Sequence, residues 1–156
     1  MSQLSKLLPL ANIALDCDAR DKSAALDVAA ALFSAATGIE REKIRVSFAD
    51  REELGSTGLG QGVAIPHGRV RGVKRAMAAI VRLSVPVNFD APDGRPVGLL
   101  VALLVPENAT QEHLEVLSEL AQMLSDRNMR VGLMTESTAA AVRDRVCAWE
   151  PIRPAA

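Results

Sequence analysis

The sequence predicts a layered α/β domain, because amphipathic helical segments alternate along the chain with short apolar segments that are typical of strands. Two of these apolar segments, 76–83 and 97–105, are rich in Val, Ile and Leu and are bounded by Pro or Gly. Such segments are typical of strands that are covered on both faces. The length of 156 residues fits one domain, and no repeat or linker divides the chain. We therefore expect a single domain over residues 1–156.

Two helices are predicted in the N-terminal third. Segment 21–36 places its apolar residues on one helical face, and Gly38 follows where a helix would stop. Segment 40–51 is a more polar helix, in which Ile44 and Phe48 lie four residues apart. The apolar face of the first helix consists of Leu26, Ala29, Ala30 and Phe33.

The middle of the chain changes from helical periodicity to loops and strands. Segment 54–69 contains five glycines and one proline, which predicts a loop around a short strand at 63–65. The two apolar strands, 76–83 and 97–105, follow. The polar segment 88–94 between them has the composition of a turn.

The C-terminal third is predicted to be helical. Segment 110–124 is an amphipathic helix with Asn108 or Thr110 available as its N-cap. A last helix is predicted over 137–149, and the proline-containing tail 151–156 is expected to fray. The apolar residues of these two helices are Leu114, Leu117, Leu120, Ala121 and Leu124 in the first, and Val142, Val146 and Trp149 in the second.

The charge balance argues against a nucleic-acid partner. The chain has 18 basic and 19 acidic residues, for a net charge of −1, whereas nucleic-acid-binding domains are usually strongly basic. It has no Tyr, one Trp and three Phe, so a platform for base stacking is not expected.

The sequence predicts a cytoplasmic protein that is not inserted in a membrane. Cys17 and Cys147 are far apart and form no CxxC motif, which suits a reducing compartment. The apolar segment 7–15 is interrupted by Pro9 and Asn12 and makes a poor signal peptide. The longest clean apolar segment, 97–105, is far shorter than the roughly 20 residues that a membrane helix needs.

Several familiar motifs are absent. Gly58-x-Gly60-x-Gly62 lacks the spacing of a dinucleotide-binding fingerprint, and no GK[ST] follows it as a Walker A loop requires. Ser56 lies in Gly-Ser-Thr-Gly and not in a GxSxG nucleophile elbow. The two histidines and two cysteines lack metal-ligand spacing. We therefore expect neither a metal nor a cofactor.

His67 is the strongest candidate for chemistry. Pro66 restricts its own φ and favours an extended Ile65, so the imidazole that follows is held where the short strand ends. Gly68 has no Cβ, which leaves room beside the ring for a partner or an anion. A neutral imidazole is a competent nucleophile near neutral pH. The alternative from spacing alone is a loop histidine that only hydrogen-bonds a carbonyl group.

Three further residues are candidates for supporting roles. Arg51 and Arg69 flank the glycine-rich segment, and guanidinium groups bind phosphate oxygens and offset charge in phosphoryl transfer. The alternative for each is a solvated surface arginine. His113 falls in the first turn of the helix at 110–124, where an anion would be favoured. A partly buried structural histidine is its alternative.

Three segments together resemble a known family. Residues 51–69 (REELGSTGLGQGVAIPHGR), 89–93 (FDAPD) and 104–114 (LVPENATQEHL) resemble, in order and spacing, the mannitol/fructose-type enzyme IIA proteins of the phosphoenolpyruvate-dependent phosphotransferase system. Within that family the nitrogen-regulatory subgroup is the most similar, and the resemblance covers residues 4–149.

The resemblance implies both a fold and a set of site residues. The fold is a three-layer α/β/α domain with a central mixed β-sheet. His67 would be the phosphorylated histidine, Arg51 the arginine that stabilises the phosphate, and His113 a second active-site histidine beside the first. Ser56 and Thr57, together with Gly68 and Arg69, would support the phosphate loop.

The function that follows is a phosphohistidine carrier. It would accept a phosphoryl group on His67 from a small HPr-like phosphocarrier protein and regulate partner proteins by its phosphorylation state. The resemblance suggests potassium transporters or sensor kinases as such targets. Two alternatives stay open: a sugar-transport enzyme IIA of the fructose or mannitol type, and a binding module on the same fold that is not phosphorylated.

Overall fold

A computed structural model describes residues 3–109 and 111–151 of the chain. Its helices and strands occur in groups, with five consecutive strands in the middle of the described chain and three consecutive helices after them. In chain order the elements are α1 (Leu4–Leu7), a 3-10 turn (Leu10–Asn12), β1 (Ile13–Cys17), α2 (Lys22–Thr37), α3 (Arg41–Glu53), β2 (Gly58–Gly60), β3 (Val63–Ala64), β4 (His67–Val70), β5 (Met77–Val87), β6 (Val97–Pro106), α4 (Gln111–Ser125), α5 (Arg127–Thr135) and α6 (Ala139–Ala148).

The described strands form one mixed sheet in the order β1-β5-β6-β3-β2, and β4 also pairs with β6. The long central pair β5–β6 is antiparallel, whereas β1 runs parallel to β5 and both β3 and β4 run parallel to β6. β3 and β4 both pair with β6, and only two residues, Ile65 and Pro66, separate them in the chain. This interruption is where the candidate site lies.

Helices cover both faces of the sheet, so the predicted three-layer α/β/α fold is confirmed. On one face α2 and α3 bury Phe33, Ile44 and Phe48 against the sheet. On the other face α1, α4, α5 and α6 form a second core that includes Leu120 and Val142. β6 supplies buried residues to both cores, as expected for the alternating side chains of a strand that is covered twice.

The predicted ends of α2 and α3 agree with the structure to within two residues. The Asp21 carboxylate accepts a hydrogen bond from the Ala24 amide at 2.8 Å and caps α2. At the other end Gly38 has a φ of 78°, a left-handed conformation that ends the helix. α3 follows after three residues, so the two helices pack side by side over the same face of the sheet.

Five elements were not predicted, namely α1, β1, β2, β4 and α5. The three strands are five residues or shorter, and such short segments show little periodicity, so their pairing partners decide their conformation. In α5 Gly132 lowers the helical propensity. A Cβ at Gly132 would overlap the Arg145 guanidinium, so a larger residue there would displace that side chain from its ion pair with Glu136.

The buried face of α4 agrees with the predicted one in part. Leu120 and Leu124 are buried as predicted and Leu117 packs against the second core, whereas Leu114 is 59% exposed and Val116 and Met123 are buried in addition. Two adjacent stripes on this helix have helical spacing, and periodicity alone does not select between them. Contact with the sheet selects the stripe that also buries His113. The proposed cap Thr110 and residues 152–156 of the tail lie outside the described residues.

None of the helices in the described part of the chain has the combination of length and apolar character that is needed to cross a membrane.

Candidate functional site

The candidate site is an open groove of about 570 Å³ between α3, β4 and the first turn of α4. Five of the seven predicted site residues line it. The two that do not are Ser56 and Thr57. The lining residues are Lys43, Val46, Ser47, Asp50, Arg51, Leu54, His67, Gly68, Arg69 and His113. Among their charged groups three are cationic and one is anionic, which favours an anionic ligand.

His67 is the first residue of β4 and stands directly after the interruption in the sheet. The Pro66 carbonyl accepts a hydrogen bond from the Leu103 amide at 2.9 Å, which ties the interruption to β6. The His67 Nδ1 lies 2.9 Å from the Ile65 carbonyl oxygen. A carbonyl oxygen can only accept, so Nδ1 carries the proton and Nε2 keeps its lone pair. Nε2 is therefore the ring nitrogen whose lone pair is available for bonding.

Arg51 lies in the last turn of α3 and reaches this nitrogen. Its Nε donates to His67 Nε2 at 3.3 Å, and its Nη1 donates to the Gly55 carbonyl at 2.9 Å. The His67 ring and the Gly55 carbonyl thus each accept a hydrogen bond from the guanidinium group. A phosphoryl group on Nε2 would replace the ring as the partner of Nε, and the guanidinium fork would lie beside it.

His113 packs against His67 from the other side of the groove. The two ring centroids are 5.5 Å apart and the rings are nearly perpendicular, at 81°. His113 is only 7% exposed, and its Nδ1 is buried with no hydrogen-bond partner among the described residues. The predicted second histidine is therefore next to the first, held by the buried stripe of α4.

Both histidines favour the neutral form. Burial is the main cause that lowers the pKa of His67, and the Arg51 charge lowers it further, while the hydrogen bond to Ile65 acts in the opposite direction. Burial also lowers the pKa of His113, with smaller contributions from His67 and Arg69. A low pKa at His67 keeps the Nε2 lone pair available at neutral pH.

Gly68 allows α3 to lie close against β4. A Cβ at this position would overlap the Ser47 hydroxyl and would stand 3.2 Å from Phe48 Cδ1. The sequence predicts free space beside the His67 ring because Gly68 lacks a Cβ. In the structure α3 occupies the space where that Cβ would lie. Ser47 also donates to the Arg69 carbonyl at 2.9 Å, while the Arg69 residue itself is exposed along the groove.

The hydroxyl groups of Ser56 and Thr57 are engaged in hydrogen bonds to other parts of the protein. Ser56 donates to the Phe89 carbonyl at 2.7 Å. The buried Thr57 hydroxyl donates to the Glu52 carboxylate, which also accepts from the Thr57 amide at 3.1 Å. Direct donation to a phosphate stays a prediction, and it would require these hydroxyl bonds to break.

Four contributors to the site were not found from the sequence: the Ile65 and Gly55 carbonyl groups, Ser47 and Glu52. Backbone carbonyls have no sequence signal, and Ser47 and Glu52 are unremarkable polar residues of a helix. Their only signal was their position beside the candidate Arg51. No group of three or more His, Cys, Asp or Glu side chains in the described residues is arranged to hold a metal ion.

Comparisons with known proteins identify the family. Residues 6–146 match the sequence profile of the "Phosphoenolpyruvate-dependent sugar phosphotransferase system, EIIA 2". A "Nitrogen regulatory protein" of Pseudomonas aeruginosa is 52% identical over 92 residues, which are 59% of this chain and 60% of that relative. One from Klebsiella oxytoca is 38% identical over 128 residues, 81% of this chain and 79% of that relative.

A solved structure supports the same assignment. The crystal structure of "Nitrogen Regulatory Protein IIA-Ntr" from Neisseria meningitidis is 49% identical in sequence and superposes with a TM-score of 0.88. The alignment covers 93% of this chain and 99% of that one. The resemblance to nitrogen-regulatory proteins is thereby confirmed. The chain belongs to the EIIA 2 family of the phosphoenolpyruvate-dependent sugar phosphotransferase system.

Proposed function

We propose that this protein is a phosphohistidine carrier of the nitrogen type, and that it accepts its phosphoryl group on Nε2 of His67. The observation that carries the proposal is the fixed tautomer: Nδ1 donates to the Ile65 carbonyl, and Nε2 faces the Arg51 guanidinium in a cationic groove. The donor would be the phosphohistidine of a small HPr-like phosphocarrier protein.

The transfer exchanges one P–N bond for another. The Nε2 lone pair of His67 forms the new bond to phosphorus, and the electron pair of the donor's P–N bond returns to the donor nitrogen. A donor ring that is protonated on its other nitrogen leaves as neutral imidazole. The His67 ring gains the positive charge, and its Nδ1 keeps the proton that it donates in the hydrogen bond to the Ile65 carbonyl. Both sides are phosphoimidazoles, so the transfer is readily reversible and needs positioning more than covalent assistance.

Arg51 and His113 stabilise the phosphoryl group during its transfer. The phosphoryl oxygens carry most of the negative charge during transfer, and the Arg51 guanidinium already lies against the atom that they would join. His113 closes the opposite side of the ring, 5.5 Å away between centroids. Removal of one such preorganised donor typically slows a reaction by about 10²–10³-fold.

Intact-mass spectrometry tests the proposal. The protein is incubated with phosphoenolpyruvate, the general phosphotransferase enzyme I and the HPr-like carrier. One acid-labile, base-stable phosphate is expected. His67→Ala should remain unlabelled, whereas His113→Ala keeps the acceptor nitrogen and should still be labelled when the slower reaction is run to completion. Labelling of His67→Ala would refute the site, and an unlabelled wild type would favour the binding module that is not phosphorylated.

Regulation of partner proteins in the cytoplasm, potassium transporters or sensor kinases among them, would follow from the added charge. A phosphoryl group brings about −1.5 to −2 charges, which is large beside the net charge of −1. A partner that covers this groove must desolvate that charge, so we expect it to bind the bare form at least about tenfold more tightly, or about 1.4 kcal/mol. The test is to measure the affinity of such a partner for wild type, for His67→Ala, which cannot carry the phosphoryl group, and for His67→Asp, which places a negative charge at the same position. Equal affinities for all three would contradict it.

A further inference from the structure

Glu52, the neighbour of Arg51 in α3, has a buried carboxylate with a complete set of partners. Its side chain is only 5% exposed. One oxygen accepts from the Thr57 amide at 3.1 Å and lies 2.7 Å from Lys22 Nζ, while the other accepts from the Thr57 hydroxyl. A buried carboxylate is costly unless it is paired and hydrogen-bonded. This one is therefore held in one place.

Lys22 connects the carboxylate to two more segments of the chain. It is the first residue of α2, its ammonium group donates to the Phe89 carbonyl at 3.4 Å, and it lies 4.8 Å from the centroid of the Phe89 ring. The start of α2, the end of α3, the turn at 88–94 and the segment 55–58 thus meet at Glu52. Lys22 also balances the Glu52 charge, which otherwise would oppose a phosphate nearby.

The connection to the site runs through Gly55. The Gly55 carbonyl accepts from Arg51 Nη1, and Gly55 has a φ of 145°, which favours glycine. It lies between Glu52 and Thr57, and the Glu52 carboxylate ties these two residues together. The carboxylate therefore closes a short loop, and the carbonyl on that loop fixes the guanidinium that faces His67.

We propose that Glu52 is a positioning residue for phosphoryl transfer, which acts by holding the 52–57 loop and through it the Arg51 guanidinium. The expected change in the rate of phosphoryl uptake rests on the proposed function, whereas the expected change in the position of Arg51 does not. Displacement of a catalytic group by about 1 Å can cost up to about 100-fold in rate. We expect Glu52→Gln, which keeps the shape but removes the charge, to slow phosphoryl uptake by about tenfold to 100-fold.

A double-mutant cycle separates positioning from general destabilisation. On an Arg51→Ala background, Glu52→Gln should slow uptake no further, although its loss of thermal stability should persist. The matched control is Glu53→Gln, which changes an exposed carboxylate in the same helical turn and should leave the uptake rate unchanged. An equal slowing by Glu52→Gln in both backgrounds, or no slowing in the native one, would overturn the proposal.

A spectroscopic measurement tests the geometry even if the protein takes up no phosphate. The ¹⁵N NMR signals of Arg51 Nε and of the His67 ring report the bond between them. Both should shift toward solvent-exposed values in Glu52→Gln and stay in place in Glu53→Gln. If Glu52→Gln does not fold, Thr57→Val removes only the hydroxyl bond and should shift the same signals less. Unmoved signals in the variant that folds would refute the positioning role.

Discussion

The close contact between α3 and β4 at Gly68 yields a quantitative prediction. Gly68→Ala places a Cβ that overlaps the Ser47 hydroxyl and stands 3.2 Å from both Phe48 Cδ1 and Ser47 Cβ. Gly68 does not have a positive φ, so alanine suits the backbone and the cost is steric. Overpacking of this kind costs about 1–3 kcal/mol.

Ser47 has one means of relief. Its hydroxyl can rotate away from the new methyl group, but it then loses the hydrogen bond to the Arg69 carbonyl, worth about 0.5–1.5 kcal/mol. The replacement of glycine by alanine also stabilises by about 0.4–1 kcal/mol through the unfolded state. The net loss in the free energy of unfolding should be about 1–2 kcal/mol. For a chain of this size that lowers Tm by about 2–4 °C for each kcal/mol.

Chemical denaturation of four variants tests the packing argument. Ser47→Ala removes the overlapped atom, so Gly68→Ala combined with Ser47→Ala should be more stable than the sum of the two single losses predicts. The matched control is Gly98→Ala in β6, where the nearest atom to a new Cβ is Pro86 Cγ at 3.4 Å, an ordinary contact. That variant should be at least as stable as wild type.

The same variants distinguish two roles for Gly68. If the glycine mainly gives an anion access to the His67 ring, Gly68→Ala slows phosphoryl uptake and leaves stability unchanged. If it mainly seats α3, stability falls and Ser47→Ala recovers part of it. Strictly additive losses, or a Gly68→Ala variant as stable as the control, would refute the packing argument.

Three further predictions concern the charged groups of the site. Arg51→Ala and His113→Ala should each fold and slow phosphoryl uptake by about 10²–10³-fold, as measured by quenched-flow labelling; wild-type rates would return both residues to structural roles. Uptake should stay nearly constant as the pH falls through 6.5 and decline only below it, because burial lowers the pKa of the His67 acceptor. Stability should fall as the pH drops from about 6.5 through the lowered folded-state pKa values of the two histidines, because the unfolded chain then binds more protons than the folded one. Urea titrations at about pH 7 and about pH 5 should show this loss in wild type and much less of it in the double variant His67→Gln/His113→Gln; an equal loss in both proteins would contradict the assignment.

Local patterns in the sequence are sufficient to predict several parts of this protein. The apolar face and the caps of α2 follow from residues within one helical segment, and the buried strands β5 and β6 follow from continuous apolar runs with Pro or Gly at their ends. The segment 63–69 singled out His67 in the same way, because a proline before it and a glycine after it restrict the local backbone.

The surroundings of His67 could not be predicted in this way, because they consist of contacts between residues that are distant in the chain. Pairing of β4 with β6 places the ring beside α4, and the packing of α4 against the sheet selects the stripe that buries His113. The tautomer depends on a backbone carbonyl, which no residue type encodes. Gly68 seats a helix and Glu52 ties a loop, and neither role is visible until α3 lies on the sheet. Local periodicity fixes which residues can pack, whereas the sheet register fixes which of them meet.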